Sequence, residues 1–87
     1  MSNANVVSSI ESLLRKVQRG EIQATAFDDQ LDGYVSALEG LSGEQRRNVR
    51  DLGTRLVHAS FADENYPGED PAVVAGEIVK WLEGVPK

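Results

Sequence analysis

An all-α fold, a compact antiparallel four-helix bundle, is what this 87-residue chain predicts, and three observations predict it. Four stretches repeat their apolar residues at helical spacing. Short connectors punctuated by glycine or proline separate them, which makes successive helices antiparallel neighbours. No stretch alternates apolar and polar residues as a half-buried strand does, and there is no cysteine to staple an irregular fold. A chain of this length supports one modest core, so residues 1–87 read as a single domain.

The first helix is expected over about residues 5–19, after a small polar start that frays. Val6, Ile10, Leu13, Leu14 and Val17 form its apolar face, and Glu11 precedes Arg15 by four residues in the favourable acid-first order. Gly20 supplies the stop, since glycine enters the left-handed conformation without strain. Ile22 in the following connector is placed as a staple against the core.

The segment over residues 24–41 fits two local structures. At a period of 3.6, Phe27, Leu31, Tyr34, Val35, Leu38 and Leu41 make one helical face. As a loop, residues 28–39 approximate a twelve-residue calcium site with Gly33 at position 6 and Glu39 at position 12. Gln30 and Leu31 are poor choices for that loop, and Gly40 follows Glu39 where an exiting helix wants an apolar residue. No second such loop exists to pair with it. The helix is therefore preferred, over about residues 24–39. Thr25 and Asp28 have capping-box spacing, so it starts at Ala24 or at Ala26. Gly33 within it either marks close packing or is tolerated.

Gly40 ends that helix, and Ser42 with Gln45 forms a second capping box opening helix three, over about residues 43–61. Val49, Leu52, Gly53, Leu56, Val57, Ser60 and Phe61 form its apolar face. Arg46, Arg47, Arg50 and Arg55 lie off it, as a solvated face that pairs with neighbouring acids. Asp70 followed by Pro71 is a strong helix start, and helix four runs over about residues 71–83 with Val74, Ala75, Ile78, Val79 and Leu82 inward. Trp81 reads as an aromatic at the edge of the core.

The formal charge of −5 argues against nonspecific nucleic-acid or anionic-membrane binding. No apolar run spans a bilayer and no signal-peptide pattern is present, so a cytoplasmic location is the expectation. Catalysis has little to work with. His58 is the single imidazole, no glycine-rich phosphate loop occurs, and neither a metal site nor a cofactor is expected. Charge placement is the informative feature. Between Arg19 and Arg46, and again between Arg55 and Lys80, every charged residue other than the one histidine is acidic. Asp63, Glu64 and Glu69 gather around Tyr66 in the one long connection, a docking surface for a basic protein.

The run Gly20-Glu21-Ile22-Gln23-Ala24-Thr25-Ala26-Phe27 resembles the glycine-glutamate-isoleucine turn of small immunity proteins of the colicin D type. Asn65-Tyr66-Pro67 and the closing helix over residues 71–82 are similar in placement to that family's acidic loop and last helix. The resemblance implies a helical bundle that binds a cognate nuclease toxin and blocks its active site, with carboxylates in place of RNA phosphates. The partner-binding residues it suggests are Asp63, Glu64, Tyr66, Glu69 and Asp70, then Asp29 and Asp32. The protein would act as a monomer or weak dimer, without direct nucleic-acid contact. The alternatives are a helical adaptor or secretion-chaperone-like module with an apolar groove, and a calcium-binding module built on residues 28–39.

Overall fold

The computed structural model describes residues 2–62 and 68–86. Its order is α1 (Asn3–Gln18), α2 (Ala24–Ala37), α3 (Gly43–Ser60) and α4 (Pro71–Glu83). Each helix packs on the next, and α4 closes against α1, so the four make a ring around one core. Asn3, at the start of α1, bonds to Glu39 just past α2 and to Pro86 just past α4. Gln45, at the start of α3, reaches the carbonyl of Gly84. These contacts gather the start of α1, the end of α2, the start of α3 and the end of α4 at one pole. The bundle is therefore up-down-up-down, as the short connectors require.

The core is aliphatic around a single aromatic. Val6, Ile10 and Leu14 from α1, Phe27 and Leu31 from α2, Val49 and Leu56 from α3, and Val74 and Ile78 from α4 are all almost completely buried. Among the described residues no charged or polar side chain is buried, so the core rests on apolar burial rather than on a polar network. Ile22 packs against its edge, as a staple should. Trp81 also lies at the edge, with its indole N–H donating to the carbonyl of Gln45 at 2.9 Å.

Several ends differ from the sequence expectation. α1 starts at Asn3 rather than near residue 5, because the Ser2 hydroxyl accepts from the amide of Asn5 and the Asn3 side chain is tied at both of its ends. At α2 the capping box at Thr25 does not form. The N-cap is Gln23, without a side-chain bond, and Asp28 stands one turn inside. α2 stops at Ala37, where Leu38 turns extended while its side chain remains buried. In α3 the buried stripe is Val49, Leu52, Gly53, Leu56 and Ala59. Ser60 is exposed and Phe61 is the C-cap, 68% exposed, because the chain leaves helical geometry there before reaching the core.

The expected stops and starts elsewhere are present. Gly20 and Gly40 take φ of 75° and 78°, the left-handed region that other residues enter at a cost. Ser42 and Gln45 make both bonds of the capping box, and Asp70 caps α4 ahead of Pro71. The segment over residues 28–37 is continuous α-helix, so the helical reading of that stretch holds. Among the described residues no helix is long and apolar enough to cross a membrane.

Candidate functional site: an acidic groove between α2 and α3

α2 enters beside the far pole of the bundle and carries three carboxylates in little more than one turn. Asp28 and Asp32 are four residues apart and so share a face, and Asp29 stands beside them. α3 runs past this face and offers Arg50 and Thr54. Together they line a groove of about 380 Å³, with the largely buried Leu31, Val35 and Val49 beneath it.

Gly53 makes room for Asp28. A Cβ built there would collide with Oδ1 of Asp28 and come within 3.3 Å of Leu31 Cδ2. The missing side chain leaves a notch in α3, and the Asp28 carboxylate occupies it. Removal from water disfavours its ionised form, and the nearby charges of Asp29 and Asp32 disfavour it further, so the Asp28 pKa is raised. No donor among the described residues hydrogen-bonds to this carboxylate. Among the described residues the one cation paired with the cluster is Arg50, whose Nε is 3.5 Å from Asp32 Oδ1 with both side chains well exposed. Such a pair adds little and dissociates readily.

The acids of the α3–α4 connection are placed differently. Asp63, Glu64 and Tyr66 lie outside the described residues. Glu69 is held by Arg55 through two hydrogen bonds, one of them Nε to Oε2 at 2.9 Å. That bidentate pairing lowers the Glu69 pKa and raises that of Arg55. Glu77 Oε2 is 2.8 Å from the same guanidinium without hydrogen-bond alignment, so it adds charge rather than direction. Asp70 accepts from the amide of Ala72 at 2.9 Å as the cap of α4. Glu69 and Asp70 thus have structural employment within the fold. Asp29 and Asp32, exposed and facing the groove, have none beyond the loose Arg50 contact.

Asp28 was not among the partner-binding residues expected from the sequence. Its proximity to Asp29 and Asp32 is plain in the chain, but its neighbour Gly53 is twenty-five residues away. Only the register of α2 on α3 brings the two together.

His58 is exposed on α3, and among the described residues no three His, Cys, Asp or Glu side chains are grouped so as to hold a metal ion. An arginine or lysine side chain entering the groove would set its charge among the carboxylates. Comparison with known proteins finds no matching family model, no curated protein and no solved structure similar to this chain. The functional reading therefore rests on the residues and their geometry.

Proposed function

We propose that this protein binds a basic protein partner through the acidic α2–α3 groove, and that the partner is a nuclease toxin whose active site it blocks, in the manner of colicin D-type immunity proteins. The observation that carries this is the grouping of Asp28, Asp29 and Asp32 along one groove, with Asp28 held in the Gly53 notch and no donor among the described residues satisfying it. Leaving a partly desolvated carboxylate unanswered costs the free protein stability. A guanidinium or ammonium from a partner would relieve that cost on binding. A nuclease cleft offers such groups because it is built to hold phosphates, and carboxylates substitute for phosphate oxygens as acceptors.

The remaining surface agrees in sign. The net charge is −5, and the resulting field attracts a basic domain and speeds its association. Glu69 and Asp70 contribute to that field at long range, while their hydrogen bonds keep them within the fold.

The test is capture of native partners on immobilised protein at low salt, elution with rising salt, and identification of what is released. A basic nuclease domain that salt releases supports the proposal. A partner that salt does not release contradicts it, because an apolar contact is insensitive to screening.

A further inference from the structure

Along its side toward α2, α3 carries a row of residues at every fourth position. Arg46, Arg50 and Thr54 stand one turn apart and so share a face. Arg46 donates to the carbonyls of Val35 and Leu38 at the end of α2. One turn on, Arg50 pairs with Asp32. Because the two helices are antiparallel, the next turn of α3 comes level with Asp28 and Asp29. There the row ends in Thr54, which is shorter and uncharged. Thr54 lines the groove with both aspartates, yet among the described residues neither carboxylate has an ion-pair partner. Gly53 keeps Asp28 at this level, since a Cβ there would collide with Oδ1.

We propose that a cation of the basic partner takes the third place in this row, between Asp28 and Asp29 and beside Thr54, while Arg50 stays on Asp32. The inference rests on the function proposed for the groove, and adds where in it the partner's charge sits and which residue sets that position. The two arginines show what this side of α2 accepts: guanidinium groups on oxygen acceptors. A third arginine at the same spacing would answer the aspartates from within the chain. Thr54 leaves that place to a cation from outside and is the residue that determines specificity. A partner cation that displaced Arg50 from Asp32 instead would meet a like charge beside it and leave Asp28 unanswered. The raised pKa of Asp28 agrees, because no cation offsets its burial and its two acidic neighbours.

The experiment is titration of the full chain at low salt with an acetylated, amidated tetra-arginine peptide, followed by carboxyl and amide NMR. The native chain is compared with Thr54→Arg and Asn48→Arg. Both positions are exposed on α3 and both variants make the same change of net charge, while Asn48 lies outside the groove. Circular dichroism verifies that both fold. In the native chain, Asp28 and Asp29 should shift more than Asp32. Thr54→Arg supplies the third cation internally, so it should weaken the peptide at least about threefold more than Asn48→Arg, which alters only the long-range field. It should also lower the Asp28 pKa in the absence of peptide. Equal weakening by the two variants, or a larger shift at Asp32 than at Asp28 and Asp29, overturns this proposal and leaves the groove as the partner's site. A native chain in which none of the three aspartates shifts overturns both.

Discussion

Asp28 is the residue at which the fold and the proposed function meet. Its pKa is raised, so the folded state holds this proton more tightly than the unfolded chain does. The linkage sign follows. From the ordinary aspartate value, about pH 4, up to the raised folded value, the folded state binds more protons, and this group's contribution to stability falls as pH rises. Asp28→Asn removes the penalty. The variant should melt above the native chain at pH 7, with the difference shrinking as pH falls toward 4. Glu69 has the opposite sign: its lowered pKa adds stability above the ordinary glutamate value that is lost on acidification. A melting comparison across pH 3 to 7 separates the two. A gain for Asp28→Asn that grows on acidification would remove the burial argument.

Arg46 makes a second claim at this scale. Its guanidinium donates to the carbonyls of Val35 and Leu38, both at 3.1 Å, and closes the end of α2, which has no basic residue in its own last turn. The sequence offered Arg46 as one of a set of solvated arginines. Its capping role depends on the return of α3 along α2, which no local signal encodes. Arg46→Ala should cost about 1–2 kcal/mol in denaturant unfolding, since charge-assisted bonds to helix-terminal carbonyls are lost. Arg47→Ala, from an exposed neighbour, serves as the near-neutral comparison.

Among the elements, α4 was the most legible and α2 the least. Asp70, Pro71 and a strong apolar repeat fix α4 with its start and its end, although Val79, expected inward, stands off the buried stripe and is 41% exposed. α2 carries no side-chain cap and no terminal charge of its own, so its limits come from Gly20, Gly40 and the packing of Phe27 and Leu31. The stripe of α3 was readable as far as Leu56, and failed at Ser60 and Phe61 because periodicity does not reveal where a helix runs past its neighbours.

The helical glycines show the same division. Gly33 faces open space, so Gly33→Ala should stabilise the protein by up to about 1 kcal/mol through helix propensity alone. Gly53→Ala meets the Asp28 carboxylate and must displace it. Because the obstructing atom ends a short movable side chain, the stability change should stay within about 1 kcal/mol while partner binding falls. Equal effects of the two substitutions on binding would show that the notch does not shape the site.

Across the whole molecule, one pole is closed by the Asn3, Gln45 and Trp81 hydrogen bonds, while α2 brings its acids near the other. The dense aliphatic core makes a rigid carrier, with a radius of gyration of 12.7 Å, on which a charged face is held without rearrangement. Composition made the acidic character and the bundle readable from the chain. It did not reveal that Glu69 is already occupied, because Arg55 claims it only in three dimensions, whereas the Asp70 cap was legible in the chain. The measurement that tests this account most directly is the salt dependence of affinity for the captured basic partner, compared between the native chain and Asp28→Asn/Asp29→Asn/Asp32→Asn. The account predicts steep weakening with salt for the native chain, and for the variant a lower affinity and a shallower slope with the fold retained. Unchanged affinity and slope in the folded variant would contradict it.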